Sequence, residues 1–387
     1  MRPRRCGYDP PALKIALVIL HADPARGGAE RYTVDLAWAL ADAGYDVTLV
    51  AATFAPKVER RPSRVHKQAL PSNGFTRTQR YRRFLDALDS YLDDEHFDVV
   101  HAMLPVRRCD VYHPHAGLAV AAFESRKKKF ESVFNPRRRA FAQVERALLA
   151  RSPAPVVLAL SEYVKSSIQK YHPQLDDEHL PTLFNAVDLD YFDATARTPL
   201  KPPVNALIVA QDFERKGLAT AIRALAELRD QEMKLTVVGD DNPSRYRGLA
   251  SSLGVLDRVR FVGGVRDTRP YYRDADFFVL PTRHDPCSLV VLEALAMGVP
   301  VISTRFNGAC EVMADGVHGY VLNDPTDVKA LAGAMRSMLD VRQRVKMSAT
   351  CLALRPRLSY EHHLDSLLRI YGQVVEKRSQ EPGARSQ

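Results

Sequence analysis

The sequence contains no run of about eighteen apolar residues, so no stretch of it reads as a membrane-spanning helix. Met1 to Pro11 is basic but lacks the apolar core of a secretory signal, and it reads as a disordered tail. Cysteine is scarce. Cys6, Cys109, Cys287, Cys310 and Cys351 are odd in number and scattered, with no Cys-x-x-Cys pair. That argues against a disulfide framework or a structural zinc site and fits a reducing cytosol. No nucleic-acid-binding motif accompanies the basic residues, so no nucleic-acid partner is expected.

What is present is a chain of 387 residues, long for one core and suggestive of two domains. The formal charge is +9, which favours phosphates or anionic surfaces. It is concentrated: Phe123 to Arg151 holds nine Lys or Arg against three Glu, a local net of +6. Phe123, Phe130, Phe134, Phe141 and Leu148 recur within this stretch at intervals close to a helical turn. A basic helix with aromatic anchors suits an anionic membrane surface. The plainer alternative is a solvated face on a helix whose apolar side is core.

Short apolar runs alternate with helical ones, the doubly wound α/β pattern. Strands are expected at Lys14–Leu20, Val47–Ala51, Asp98–Ala102 and Val156–Leu160 in the first half, with an amphipathic helix over Thr76–Leu92. In the second half they are expected at Val204–Ala210, Lys234–Val238, Arg258–Val265 and Asp276–Leu280, then from Val299 and near Tyr320. The spacing predicts a tail over 1–13, a first domain over 14–184 and a linker over 185–203 carrying Pro199, Pro202 and Pro203. A second domain over 204–358, a final helix over 359–377 with Ser359 as cap, and a tail over 378–387 follow.

The stretch from Pro281 to Val301 organises the chain. Pro281 ends the strand before it. Ser288 is placed to cap a helix that is apolar nearly all round, and Gly298 suits its C-terminal end. Glu293 is the anomaly on that helix, because a buried carboxylate is costly unless paired or hydrogen-bonded. It reads either as a structural ion pair or as an acceptor of ligand hydroxyls. Asp285 lies eight positions earlier in the loop at the strand's C-terminal end, where open α/β sheets bind ligands.

Other candidates follow from local chemistry. Gly27 and Gly28 lie between a strand and a helix, where backbone N–H groups approach a ligand closely, or simply make a tight turn. Arg215 and Lys216 precede Gly217 at a strand end and offer a fork of donors and a point charge to a diphosphate. His113 and His115 flank Pro114; no third ligand accompanies them, so metal binding is not expected. His101, near a strand end, reads as structural. Asp274-Ala275-Asp276 resembles a metal motif but leads straight into a buried strand, so it too reads as structural.

This constellation resembles the nucleotide-sugar-binding signature of the retaining glycosyltransferases of family 4, which have the GT-B fold. In that family two acids are separated by seven residues. The second grips the nucleotide ribose from a helix and the first faces the donor sugar. Glu293 matches the second; Asp285 matches the first, where Glu is usual, and Cys287-Ser288 replaces the usual aromatic-glycine pair. The resemblance spans about residues 14 to 375. It implies two Rossmann-like domains facing a cleft, with the last helix crossing back to the first domain. It implies that Arg215 and Lys216 hold the leaving diphosphate, although the family's arginine often lies where this chain has Gln211. Ser288 and Leu289 would offer backbone N–H groups to phosphate, and the turn from Val262 to Arg266 would hold the base. Gly27 and Gly28 would face the donor phosphates and the acceptor. His115, before His113, would reach the sugar. Asn185-Ala186-Val187-Asp188 looks like the family's interdomain segment, with Ala186 in place of glycine.

Within the family, the Asp110–Gly117 stretch followed by the basic stretch resembles the enzymes of lipopolysaccharide core assembly. The implied activity is metal-independent, cofactor-free transfer of a hexose, glucose first, from a UDP-sugar to a glycan or glycolipid acceptor. It would take place in the cytoplasm, at the inner face of the inner membrane, with the 123–151 stretch on the lipid. A nucleotide-sugar epimerase or phosphorylase on the same fold is the enzyme alternative. A catalytically silent glycan- or lipid-binding protein is the non-enzyme one.

Overall fold

The computed structural model describes residues 13–55, 64–115, 117–120, 136–194 and 202–380. Contacts gather the chain into two units. One comprises Met1–Leu160, Val164–Leu183 and Leu364–Gln387; the other comprises Ser161–Tyr163 and Phe184–His363.

The first unit contains β1 (Lys14–Val18), β2 (His21–Ala22), β3 (Asp46–Ala51), β4 (Thr53–Phe54), β5 (His66–Ala69), β6 (Val99–Ala102), β7 (Val111–Tyr112) and β8 (Val156–Val157). Six form one sheet in the order β5-β3-β1-β6-β7-β8, every pairing parallel. A parallel sheet is covered on both faces, so its inner strands are continuous apolar runs: Ile15 to Val18 are all buried. β5 escapes such a reading. Among the described residues His66-Lys67-Gln68-Ala69, which is polar, pairs only with β3, at the sheet edge, where charge is tolerated. The helix Arg77–Asp94 opens with a capping box. Thr76 Oγ1 accepts from Gln79 N and Gln79 Oε1 accepts from Thr76 N, each at 3.1 Å.

Of the basic stretch, Arg126, Lys127, Lys128 and Lys129, with Phe123, Phe130 and Phe134, lie outside the described residues. The helix Pro136–Leu149 is described. Its Phe141 ring stacks on the buried Tyr81 at 4.1 Å, and Leu148 is buried. Two of the five expected anchors therefore face the core, because their spacing follows the helix's own buried stripe. Glu145 on the same helix is fully buried. It accepts from the Tyr112 hydroxyl at 2.5 Å and from the Ala119 and Val120 amides at 3.0 and 2.9 Å, while burial raises its carboxyl above the ordinary range.

The second unit contains β9 (Val204–Val209), β10 (Met233–Val238), β11 (Val259–Gly263), β12 (Phe277–Leu280), β13 (Val301–Thr304) and β14 (Gly319–Leu322). They form one parallel sheet in the order β11-β10-β9-β12-β13-β14. Strand order reverses between β9 and β12, so the loops after these two strands flank the sheet's switch point. Asp276 anchors β12: its Oδ2 accepts from Asn205 N at 2.8 Å, and its Oδ1 pairs with the buried Arg344 at 3.3 Å. The Asp-x-Asp motif is thus structural.

The helix Tyr360–Gln380 is capped by Ser359, whose Oγ accepts from His362 N at 3.1 Å. From Leu364 on it groups with the first unit, where the Tyr371 hydroxyl meets His101 Nδ1 at 2.7 Å. Among the described residues no helix is long and apolar enough to cross a membrane.

Candidate functional site

The loop after β9 turns tightly. Arg215 N donates to Asp212 Oδ1 and Lys216 N to Asp212 O, both at 3.0 Å. Gly217 has φ +79°, and a Cβ there would overlap the Pro281 carbonyl oxygen. Only glycine lets this loop touch the end of β12 backbone to backbone. That contact is locked when Arg283 N donates to Arg215 O at 2.9 Å. Lys216 is thereby delivered to the residues that follow β12.

There Lys216 Nζ forms an ion pair with Asp285 Oδ2 and lies 3.4 Å from Ser288 Oγ. Lys216, Asp285 and Ser288 are 8%, 7% and 3% exposed, so the pair is nearly withdrawn from water. Asp285 has a second cation, Arg215 Nη1, at 3.8 Å. Arg215 is otherwise spent on the His284 carbonyl at 2.7 Å and Asp212 Oδ2 at 3.2 Å. In this arrangement the cation expected for a diphosphate and the acid expected for a sugar satisfy each other. A ligand must share or replace that pairing.

Ser288 occupies the N-cap position of the helix Leu289–Ala296, but its side chain makes no cap hydrogen bond. Its Oγ faces Lys216, and its amide donates to Asn307 Oδ1 at 3.3 Å. Leu289 supplies the next N–H at the positive end of the helix. Asn307 also pairs as an isolated bridge with Asp285, and Asp285 N donates to Phe306 O at 2.9 Å, so the segment after β13 sets the height of the Asp285 loop. No local pattern in the sequence assigns this bracing to Asn307.

The Ser161–Tyr163 segment completes the surround. Ser161 Oγ donates to Pro286 O at 2.8 Å, and the Tyr163 hydroxyl meets His284 Nδ1 at 2.7 Å. Glu311 accepts from the Glu162 and Tyr163 amides at 2.7 and 2.8 Å. Burial lowers the His284 imidazole below its ordinary range, against the pull of Asp285. Burial raises the Cys287 thiol far above its ordinary range and pushes Cys310 up to about 12, so neither is a thiolate nucleophile.

Glu293 is 6% exposed and its Oε2 accepts from the Tyr272 hydroxyl at 2.8 Å. Tyr272, on the helix Arg269–Asp274, is a partner that sequence reading missed; it sits in a Tyr-Tyr pair 21 residues away with no periodic signal. At the end of β11, Val262 is half-buried and Arg266 exposed. Beside this turn is a cavity of about 280 Å³ lined by Phe213, Val237, Asp240, Asp241, Phe261 and Gly264, among others.

His115, Gly27 and Gly28 belong to the first unit. His115 is 9% exposed, its ring 4.1 Å from that of His113 and 4.2 Å from that of Tyr32. His113 is fully buried, with His101 stacked at 5.4 Å. Gly27 is extended and begins the helix Gly28–Asp42 with no side-chain cap. Among the described residues no group of three His, Cys, Asp or Glu is disposed to hold a metal ion.

Residues 26–191 match the family described as Glycosyltransferase Family 4, and residues 204–341 match that described as Glycosyl transferases group 1. The lipopolysaccharide glucosyltransferase WaaG of Escherichia coli (strain K12) is 26% identical over 327 residues, covering 81% of this chain and 86% of the relative. The crystal structure of WaaG, a glycosyltransferase involved in lipopolysaccharide biosynthesis, superposes with a TM-score of 0.76 at 22% identity, over 90% of this chain and 98% of that one. Anabaena Alr3699/HepE, solved in complex with UDP-glucose, superposes with a TM-score of 0.69 at 16% identity, over 95% of this chain and all of that one. The chain thus joins a Glycosyltransferase Family 4 domain to a Glycosyl transferases group 1 domain, on two parallel-sheet units of the GT-B type.

Proposed function

We propose that the chain is a retaining, metal-independent hexosyltransferase that moves glucose from a UDP-sugar to a hydroxyl of a lipopolysaccharide core or related glycolipid acceptor. The observation that carries the donor assignment is the Lys216–Asp285–Ser288 cluster at the switch point between β9 and β12. A nucleoside diphosphate leaves with growing negative charge. Lys216, Arg215 and the N–H end at Ser288 and Leu289 stabilise it electrostatically, the task a divalent metal performs elsewhere. Asp285 then exchanges Lys216 for the sugar hydroxyls, and Glu293, oriented by Tyr272, takes the ribose. The base lies along Val262 to Arg266, next to the cavity beside Phe261. Gly27 and Gly28 serve the donor phosphates and the acceptor. His115 serves the sugar.

The choice of glucose, UDP and a lipopolysaccharide acceptor is supported by the likeness to the glucosyltransferase WaaG and to HepE, which was solved with UDP-glucose. A lipid-linked acceptor places the enzyme at the cytoplasmic face of a membrane, held reversibly by its basic residues. The test is a panel of nucleotide-sugars with extracted core acceptors and mass detection of product. Transfer of one hexose with retained configuration supports the reading. Conversion of the donor without acceptor would identify an epimerase, and no turnover of any donor would leave a binding protein.

A further inference from the structure

Glu145 has no part in the site above. It lies on the buried stripe of the helix Pro136–Leu149, between Ala142 and the pair Leu148 and Leu149. A leucine would continue that stripe without burying a charge. Instead a carboxylate stands there fully buried, and among the described residues no cation pairs with it. Such burial is costly, and hydrogen bonds offset it only in part. A carboxylate kept in a core on these terms points to a constraint other than packing.

Its hydrogen bonds show which constraint. Glu145 Oε1 accepts from the Tyr112 hydroxyl at 2.5 Å and from Ala119 N at 3.0 Å, and Oε2 accepts from Val120 N at 2.9 Å. Tyr112 ends β7, while Ala119 and Val120 lie just beyond the turn that follows it. One carboxylate therefore ties both ends of the 113–117 stretch. The turn is itself tight. His115 N donates to His113 O and Gly117 N to Pro114 O, both at 2.8 Å, and Gly117 has φ +77°. Its entry is fixed where His113 N donates to Ala102 O at 2.8 Å. The turn lies at the C-terminal end of a parallel strand, where open α/β sheets bind ligands, and it carries His115.

We propose that Glu145 is a positioning residue for sugar transfer: it closes the base of the 113–117 turn and so holds His115 where that ring serves the donor sugar. The role in transfer rests on the reading of His115 given above; the closure of the turn does not. Glu145 is buried beneath the turn, so it acts through the Tyr112 phenol and the backbone amides rather than on a substrate.

The experiment uses the full chain and reads the ring of His115 as well as turnover. Glu145→Gln keeps the size and one acceptor but turns an amide NH2 toward groups that are already donors. Tyr112→Phe removes one tie and leaves the carboxylate on both amides. Leu148→Ala, on the same helix, loosens the packing and leaves all three bonds in place. The His115 signal in proton–nitrogen spectra of the imidazoles is assigned by its loss in His115→Gln. It should move in Glu145→Gln, move less in Tyr112→Phe, and stay in place in Leu148→Ala. With UDP-glucose and extracted core acceptor, Glu145→Gln should lower kcat about tenfold to a hundredfold, as a small misplacement of a reacting group does. KM for UDP-glucose should change little, because the proposed nucleotide contacts lie in the second unit. An unmoved His115 signal in both Glu145→Gln and Tyr112→Phe, or an equal shift in Leu148→Ala, would overturn the closure. A moved signal with unchanged kcat would overturn the role in transfer. Unchanged kcat in His115→Gln would count against the reading of His115 and leave the closure to the spectra.

Discussion

The Tyr272 hydroxyl donates to Glu293 Oε2 at 2.8 Å and lies 3.2 Å from the Val290 carbonyl. Tyr272 is fully buried, with its ring edge-on to Phe192 at 6.1 Å and tilted against Phe278 at 6.0 Å. The phenol therefore has little freedom, and it fixes one oxygen of the carboxylate before any ligand arrives. Such preorganisation lowers the cost of binding.

Tyr272→Phe removes the hydroxyl and keeps the packing. It should cost about 1.5–3 kcal/mol of stability, the range for a hydrogen bond to a charged group. It should also weaken free UDP several-fold, less than Glu293→Gln does. Urea unfolding and calorimetry with UDP measure the two effects. Wild-type UDP affinity in Tyr272→Phe would show that the phenol does not orient the acid.

The pairing of Lys216 with Asp285 and its proposed role on the leaving diphosphate involve different partners, so their effects on stability and turnover can be separated. Lys216→Ala strands the buried Asp285 carboxylate, and breaking a buried pair costs about 3–5 kcal/mol, reduced here by Arg215 at 3.8 Å. The double variant Lys216→Ala/Asp285→Asn removes both charges and should recover most of that stability. It should not recover turnover, because the leaving diphosphate still lacks its cation; the loss in kcat/KM corresponds to about 2–3 kcal/mol. Asp285→Asn alone should spare UDP and weaken only the sugar-bearing donor. Recovery of kcat/KM in the double variant would exclude a direct role for Lys216.

The parallel strands were legible in the sequence because burial on both faces leaves runs such as Ile15 to Val18 and Phe277 to Leu280 with no polar residue. The polar edge strand His66–Ala69 was not, since an edge needs no such run. Lys216, Asp285 and Ser288 were legible as the chemistry of loops after strands. Their mutual pairing was not, because it depends on Gly217 against Pro281, a contact between segments some sixty residues apart in sequence. Tyr272 and Asn307 were missed for a related reason: each acts through a tertiary hydrogen bond that leaves no local pattern. Phe141 and Leu148 were legible as a periodic stripe, but periodicity alone does not say whether the stripe meets lipid or core.

His363 gives a pH test of the second unit. It is buried, meets the Phe184 carbonyl through Nδ1 at 2.9 Å, and its imidazole is lowered to about 4 by burial. Between pH 4 and its ordinary 6.5 the unfolded chain binds the proton and the native one does not. Stability from this group is therefore complete above 6.5 and is lost as pH falls toward 4, by about 3 kcal/mol over the window. Glu145 and Glu311, both raised by burial, contribute the opposite slope. The difference between the unmodified protein and His363→Gln isolates the histidine, since glutamine can still donate to Phe184. Urea unfolding across that range should show the difference growing with pH; a flat difference would mean that burial does not control the proton.

Gly308 tests how closely the acid loop is held. A Cβ at this position would overlap both the Pro286 carbonyl oxygen and Ser161 Oγ, which are joined by a hydrogen bond of 2.8 Å. The Gly308 amide donates to Asp285 O at 3.0 Å, so the same residue fixes the loop that carries the acid. Gly308→Ala must push Pro286 and Ser161 outward, and overpacking of this kind costs about 1–3 kcal/mol. Turnover should suffer more than stability, because a displacement of about 1 Å at a reacting group lowers rate on the order of a hundredfold. UDP affinity should stay within a few-fold, since Glu293 is held separately by Tyr272. Adding Ser161→Ala removes one of the two overlaps and should restore part of the turnover. Unfolding, calorimetry and kcat/KM on the single and double variants decide the matter. Wild-type kcat/KM in Gly308→Ala would mean that Asp285 keeps its position without this contact.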